Sequence, residues 1–290
     1  RGFKANRSVV ITKKNMGRIG NITLRNSLFV TPILIFLFLG FNQLFSTLTK
    51  KRQLLFFFDK IEINGAVDVF VKPGARDNEA YIFADTSVID AIGLHVRERT
   101  LFVDANNTFD ISRRLPFLKI SAERTFPIEL IVHKEKLSEI RLNGRSNLVL
   151  SELNSPKVFV NTSGSGRFHL ENSTINNLSI RQDGTGPIIL KGEKINSLEL
   201  KVLNNGPILA QSLPADHVQV THHGNGDIEI NPLKFLDTRI MAEGNIILHQ
   251  RPTNLVVTQK GGGRVLDISP DLPNFYEINA SQPTLSVGQN

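Results

Sequence analysis

The feature that most constrains the fold of this chain is a repeat of twenty residues between positions 143 and 250. Six segments align without a gap: NGRSNLVL (143–150), SGSGRFHL (163–170), DGTGPIIL (183–190), LNNGPILA (203–210), HGNGDIEI (223–230) and EGNIILHQ (243–250). Their second position always holds glycine or asparagine, the residues that most readily adopt a positive φ: Gly144, Gly164, Gly184, Asn204, Gly224 and Gly244. A turn is therefore predicted at a fixed place in each repeat.

Apolar residues alternate with other residues on both sides of these turns, and they recur at the same place in each repeat. One column holds Leu148, Phe168, Ile188, Ile208, Ile228 and Leu248, and another holds Ile140, Val160, Ile180, Leu200, Val220 and Ile240. Alternation predicts strands with one inward face. Recurrence predicts that the strands of successive coils stack, so the fold class is all-β, a parallel β-helix or β-solenoid with coils of about twenty residues.

The register makes specific predictions about neighbours. Gly184, Gly224 and Gly244 are expected in equivalent turns, and Ile180, Leu200 and Val220 are expected to stack in one core. The coil that continues at residues 255–268 is expected to be shortened to eighteen residues. Four of its residues should then share a column with the residue eighteen positions earlier: Val256, Thr258, Gly262 and Leu266. After residue 268 the pattern is lost, which indicates a cap or tail.

The stretch THHGNGDIEI (221–230) contains two histidines, a Gly-x-Gly turn and an acid, and it could be taken for a metal or phosphate site. Adjacent residues of a strand point to opposite faces, so His222 is expected inward and His223 outward, and they cannot easily share one metal. A phosphate loop would lead into a helix rather than a strand. We therefore predict no catalytic, cofactor-binding or metal-binding residue in the chain, and no cofactor.

A second constraint is the apolar segment LFVTPILIFLFLGFNQLF (28–45), which has no charged residue. At about 1.5 Å per residue it is about 27 Å long, enough for a transmembrane helix. The alternatives are a buried core helix and a cleaved signal peptide. The following sequence, QLFSTLTKKR, contains no Ala-x-Ala-like cleavage site, which favours an uncleaved signal anchor.

The basic residues indicate how the chain is oriented. The formal net charge is +7, but residues 1–60 hold eleven basic residues and one acid, and the remainder is slightly acidic. This distribution argues against a nucleic-acid partner, which would need the positive charge on the folded surface. Because more basic residues precede the span than follow it, we expect an inner-membrane protein with a cytoplasmic N-terminus and a periplasmic or extracellular body. The absence of cysteine excludes disulfides and thiolate metal sites.

These observations divide the chain into five parts. They are a basic cytoplasmic arm (1–27), a transmembrane signal anchor (28–48), a linker (49–56), the β-solenoid (57–268) and a C-terminal cap or tail (269–290).

Three stretches of the outer region resemble a known bacterial family. They are FDKIEINGAVDVFVKPG (58–74), YIFADTSVIDAIGLHVRERTLFVD (81–104) and FPIELIVHKEKLSEIRLNGRSNLVL (126–150). Their strand and glycine patterns are similar to those of the family named "putative auto-transporter adhesin, head GIN domain", over roughly residues 57–268. The resemblance implies a cell-envelope protein with a β-helical body, and it supplies no catalytic residues.

Two classes of function fit this sequence. The first is a non-enzymatic, membrane-anchored envelope protein that serves as a binding surface or as part of a larger assembly, with protein partners or self-association; a surface adhesin is a variant of it. The second is a carbohydrate-active enzyme, because β-helices also host polysaccharide lyases and hydrolases. An enzyme would need several acids on one face, whereas the outward column reads Asn147, Arg167, Pro187, Pro207, Asp227 and Ile247. Asp183 and Glu243 share a column but are expected three coils apart. A polysaccharide ligand therefore has no support beyond the fold.

Overall fold

The computed structural model describes residues 48–105, 108–115, 118–125, 127–270 and 276–278, with side chains described outside 106–126 and 276–278. This part of the chain consists of strands and one 3-10 turn, Ile89–Ala91. The strands are β1 (Leu48–Leu54), β2 (Lys60–Gly65), β3 (Asp68–Lys72), β4 (Glu79–Asp85), β5 (Gly93–Arg97), β6 (Thr100–Ala105), β7 (Thr108–Leu115), β8 (Leu118–Thr125), β9 (Glu129–His133), β10 (Glu139–Gly144), β11 (Asn147–Ser151), β12 (Asn154–Gly164), β13 (Phe168–Gln182), β14 (Ile188–Gly192), β15 (Ile195–Val202), β16 (Ile208–His222), β17 (Ile228–Ile240), β18 (Ile246–Leu248), β19 (Asn254–Gln259), β20 (Val265–Asp267) and β21 (Tyr276–Ile278).

The predicted parallel β-solenoid is confirmed. Each coil gives one strand to each of two stacked ladders, and the long strands β13, β16 and β17 bend from one ladder into the other. The first sheet contains β5, β6, β2, β10, β12, the second half of β13, β15, the second halves of β16 and β17, and β19. The second sheet contains β1, β4, β9, β3, β11, the first half of β13, β14, the first halves of β16 and β17, β18, β20 and β21.

The core lies between the two sheets and is built from the predicted columns. Ile180 pairs with Leu200 and Leu200 pairs with Val220, so these three side chains stack in adjacent coils as expected. All three are at most 1% exposed. Because side chains alternate along a strand, one apolar residue in two is enough to fill this interior.

The first coil, β2 and β3, is followed by an excursion that the sequence repeat does not reveal. Ile61 of β2 pairs with Ile140 of β10, 79 residues later. The intervening residues place β6 and β9 on the outer side of β2 and β3, and then add the antiparallel strands β5 and β4. The excursion thus covers the N-terminal end of both ladders. The hairpin of β7 and β8, which follows β6 and precedes β9 in the sequence, forms a separate two-stranded sheet.

The predicted register is wrong after β16. Val220 pairs with Thr238 rather than Ile240, so this coil has eighteen residues and the shortening comes one coil earlier than expected. Three residues are lost at the corner, where Ala210 pairs with Ile230 but Pro214 pairs with Asn231, and one is regained between Ala215 and His217. A shift of two residues keeps every side chain on its original face, so alternation alone could not reveal it.

One further prediction fails for the same reason. Gly244 packs on the Gly226 carbonyl and the His222 ring, as Gly206 packs on the Gly186 carbonyl and Gln182, so it does not occupy the turn of Gly184 and Gly224.

The strands of the last coil pair with residues nineteen positions earlier, rather than eighteen as predicted. Each residue of this coil therefore points to the face opposite to the predicted one. Ile246 pairs with Val265, and Val256 is 44% exposed whereas Leu255 and Val257 pack against the core. Thr258 and Leu266 likewise point outward instead of joining the core columns as predicted. Leu255, Val256 and Val257 are all apolar, so alternation in the sequence could not show which residues of this strand point inward.

The parts outside the solenoid are only partly described. The predicted anchor lies outside the described residues except for Leu48, and no helix within those residues is long and apolar enough to span a membrane. Residues assigned to a linker form β1, which pairs with β4. In the predicted cap, β21 pairs antiparallel with β20.

Candidate interaction surface

The two histidines of the 221–230 stretch lie on opposite faces, as predicted. His222 is fully buried and His223 is exposed. The Gly224 N–H donates to Nδ1 of His222 at 3.3 Å. Burial lowers the pKa of His222, and a hydrogen bond with the Gly226 backbone offsets this only in part. His222 is therefore a neutral core residue at a glycine turn.

The outer face of the first sheet is mostly polar, apart from Phe102, Phe159 and Val256, and it carries paired charges. Arg141 lies 3.3 Å from Glu62 in the coil before it and also contacts Glu139 at 2.6 Å, and Lys60 lies 3.3 Å from Glu139. At the opposite corner, Asp216 is held by two lysines from neighbouring coils, Lys194 at 3.2 Å and Lys234 at 2.9 Å. Hydrogen bonds from these lysines, Lys234 first, lower the pKa of Asp216. These charges neutralise one another across coils.

Asp183, Asp227 and Glu243, the acids that the sequence offered for an enzyme, do not converge. Asp183 is paired with Arg181 at 2.8 Å, and Asp227 accepts hydrogen bonds from Asn245. Glu243 does not share the column of Asp183, because the shortened coil places Met241 there, where its N–H donates to the His222 carbonyl. Among the residues whose side chains are described, no three histidine, aspartate or glutamate side chains are close enough together to hold a metal ion.

The outer face of the second sheet differs, because an apolar row runs along its middle. We call it the outer row. Successive strand pairings place its members next to one another in this order: Tyr81, Ile131, Phe70, Val149, His169, Ile189, Leu209, Glu229, Ile247 and Leu266. Each is partly exposed, and only His169 and Glu229 are polar. The row is continuous, since each strand contributes one residue.

Each member of the outer row lies between two inward residues of its strand. Ile189, for example, lies between the buried Ile188 and Leu190. Near the N-terminal end, Phe70, Ile131 and Val149 line a shallow groove that Glu171 borders. A side row precedes the outer row by two residues on each strand: Asp68, Asn147, Arg167, Pro187, Pro207, Asp227, Asn245 and Arg264.

The sequence contained a signal for the outer row that was missed. Runs such as Ile188 to Leu190 are apolar at three consecutive positions, so both faces of the strand are apolar there. The outward column of the side row was read correctly up to Asp227, but its next member is Asn245 rather than Ile247.

The chain is similar to known proteins over most of the described region. The family model described as "Putative auto-transporter adhesin, head GIN domain" matches residues 57–252. No curated protein matches the chain.

Three crystal structures resemble the chain in fold. A putative adhesin from Bacteroides fragilis NCTC 9343 has a TM-score of 0.66 and 20% identity, covering 77% of this chain and 98% of that one. A putative adhesin from Parabacteroides distasonis ATCC 8503 has a TM-score of 0.55 and 18% identity, covering 77% and 98%. A putative lipid binding protein from the same organism has a TM-score of 0.56 and 17% identity, covering 77% and 97%. At these identities the likeness establishes the fold alone.

Proposed function

The chain belongs to the head GIN domain family of auto-transporter adhesins, and from this premise we propose that it is a non-enzymatic, membrane-anchored envelope protein that binds other protein chains through the outer row. The outer row is the observation that carries the proposal. A solvated sheet face is usually polar, with apolar residues restricted to the inward side. Here one outward row of the second sheet is apolar along nearly its whole length, whereas the outward side of the first sheet is mostly polar and carries paired charges.

An apolar row of this kind favours contact with another chain. Burial of apolar surface contributes about 25 cal/mol per Å² removed from water. A contiguous apolar patch bordered by polar residues is typical of interaction sites. The rows on either side of the outer row supply that polar border, with Asp68, Arg167 and Asp227 on one side and Lys72 and Glu171 on the other.

The anchor and the cellular location rest on sequence. The apolar segment 28–45, the basic residues before it and the lack of a cleavage site support an N-terminus in the cytoplasm with the solenoid outside it. The residues that follow the predicted span add one observation. Phe56 is 83% exposed and Phe57 is 58% exposed, and Arg99 and Lys134 lie over the Phe57 ring. Exposed aromatic residues beside basic ones are typical of a membrane interface.

An enzymatic role is the second candidate, and the placement of Asp183 and Asp227 disfavours it. A glycosidase needs two carboxyl groups about 5–10 Å apart on one face. Asp183 and Asp227 are each bound by neighbouring side chains of their own face and lie in different columns. The names of the family and its structural relatives, adhesins and a lipid binding protein, also support binding rather than catalysis.

Co-purification tests the proposal with a matched pair of variants on one strand. Leu209 lies in the outer row and Gln219 lies on the polar face, both in β16 and both outward. Tagged full-length protein would be solubilised in mild detergent as wild type, Leu209→Arg and Gln219→Arg. An arginine in an apolar interface costs at least about 1.4 kcal/mol, so Leu209→Arg should recover at least about tenfold less of the bound protein.

Gln219→Arg should recover the same amount as wild type. Equal recovery from all three proteins would refute a role for the outer row. Cleavage of envelope polysaccharides by the wild type, lost in Asp183→Ala or Asp227→Ala, would establish the enzymatic alternative instead.

A further inference from the structure

Eight consecutive members of the outer row, from Phe70 to Leu266, have a polarity that reads the same in both directions, and Ile131 and Tyr81 extend the row beyond Phe70. From Phe70 to the last coil the order is Phe70, Val149, His169, Ile189, Leu209, Glu229, Ile247 and Leu266. Two apolar residues are followed by a polar one, two apolar residues, a polar one and two apolar residues. The centre of this pattern lies between Ile189 and Leu209, and its two polar members are a histidine and a glutamate.

From this pattern we infer that the outer row binds a second copy of the same chain, with the two solenoids antiparallel and their second sheets face to face. The inference deepens the proposed function, on which it rests, by naming the partner. A two-fold axis along the strand direction at the centre of the row reverses the order of strands in the second copy. His169 then faces Glu229 of the other copy, and every apolar member faces an apolar one: Phe70 faces Leu266, Val149 faces Ile247 and Ile189 faces Leu209.

The alternative parallel arrangement is disfavoured by the same residues. A two-fold axis along the solenoid would place each residue opposite itself, so Glu229 would face Glu229. Like charges brought together in an interface cost free energy. In the antiparallel arrangement the imidazole of His169 can instead donate a hydrogen bond to the carboxylate. Both side chains are partly exposed, at 21% and 28%, and each also lies near a residue of its own chain: His169 is 3.8 Å from Glu171, and Glu229 is 2.7 Å from His249.

The side row is complementary in the same register, and this observation is independent of the outer row. Reversal about the same centre pairs two acids with two arginines, asparagine with asparagine and proline with proline. The facing pairs are Asp68 with Arg264, Asn147 with Asn245, Arg167 with Asp227, and Pro187 with Pro207. An isologous interface must be self-complementary in this way. Opposite charges at both positions favour the antiparallel pairing.

The area is sufficient for a weak but specific dimer. Eight strands at a spacing of about 4.8 Å give the row a length of about 34 Å, and a border of two residues on either side gives a width of about 14 Å. Such a face buries about 500 Å² per copy, which lies above most lattice contacts and at the lower end of specific interfaces. Anchoring in one membrane would raise the effective concentration of the copies and so favour the dimer.

Cysteine crosslinking of the full-length chain in its membrane tests this arrangement, because the natural sequence has no cysteine. Two differently tagged copies would be co-expressed, one with Val149→Cys and the other with Ile247→Cys, and treated with a short thiol crosslinker. The antiparallel dimer predicts a mixed crosslink between the two tags. Val149→Cys in both copies should give none, since those residues would be five strand spacings, about 24 Å, apart.

A crosslink between two Val149→Cys copies would establish a parallel dimer and overturn the inference. The absence of any crosslink, with Leu209→Arg still losing a co-purified protein, would overturn the dimer while leaving the outer row as a binding surface. If Leu209→Arg lost nothing, the proposed function itself would fail.

Charge reversal separates a specific contact from misfolding. Glu229→Lys places a cation opposite His169 and should reduce the mixed crosslink several-fold. His169→Glu combined with Glu229→Lys restores an opposite-charge pair and should recover most of the crosslink. If the double variant remained as low as the single one, the facing of His169 and Glu229 would be refuted.

Discussion

Position 222 shows how one buried histidine can make the stability of the solenoid depend on pH. Gln182 occupies the equivalent place two coils earlier, and its amide donates to the Gly186 carbonyl at 2.7 Å. His222 lies against Gly226 in the same way, but burial lowers its pKa. Below the ordinary histidine pKa of about 6.5 the unfolded chain therefore binds a proton at this residue that the folded chain does not, so stability falls as the pH falls.

We predict that His222→Gln makes the protein less sensitive to acid. The glutamine amide can donate to the Gly226 carbonyl without a charge at any pH, so the free energy of unfolding should decrease less between pH 7 and pH 5 than in the wild type. Urea unfolding of the detergent-solubilised full-length chain at both pH values measures this. His223→Gln, at the exposed neighbour, should behave as the wild type. An unchanged pH dependence in His222→Gln would contradict the assignment.

At the scale of the strand, the stack of Ile180, Leu200 and Val220 carries a direct prediction. Leu200→Asp places a carboxylate in the core with no partner and should destabilise the body by several kcal/mol or unfold it. His223→Ala removes an exposed side chain and should change the unfolding free energy by no more than about 0.5 kcal/mol. Circular dichroism during thermal unfolding distinguishes the two. If His223→Ala proved the more damaging change, the inward and outward assignment would be wrong.

The turns between strands offer a matched pair of glycines. A Cβ at Gly186 would overlap the Gly166 carbonyl in the coil below. A Cβ at Gly192 would lie 3.6 Å from the Ser173 carbonyl and 3.3 Å from Leu213 Cδ1, a close contact that a small shift of the Leu213 side chain relieves. Gly186→Ala should therefore cost about 1–3 kcal/mol, because the coils must move apart. Gly192→Ala should remain within about 1 kcal/mol of the wild type. Equal costs in a urea titration would show that coil spacing does not require the glycine.

The sequence determined the strands better than it determined the coils. The columns from Ile140 to Val220 were correct, because alternation and a constant period agree there. The shortened coil at Thr238 was missed because a two-residue shift preserves alternation. The pairing of Ile61 with Ile140 was missed because the excursion between them has no repeat. The outer row was not predicted, although runs such as Ile188 to Leu190 are apolar on both faces of the strand.

At the scale of the whole molecule, anchoring in the inner membrane remains a prediction from the apolar segment 28–45 and its basic flanks. Protease added to spheroplasts should digest the solenoid and leave the N-terminal arm, because only the body is expected outside the cytoplasm. Detection with a tag on each terminus separates the two products, and lysed spheroplasts serve as the control. A soluble mature form that begins near Thr49 would show that the segment is a cleaved signal peptide.

The central claim is that the protein works through the outer face of its second sheet. The most direct measurement is photo-crosslinking of the full-length chain in intact cells, with a photoreactive phenylalanine at Leu209 or at Gln219, which project outward from the two faces. We expect a discrete crosslinked product from position 209, to a second copy or another protein, and none from position 219. Crosslinking from position 219 alone, or equally from both, would contradict it.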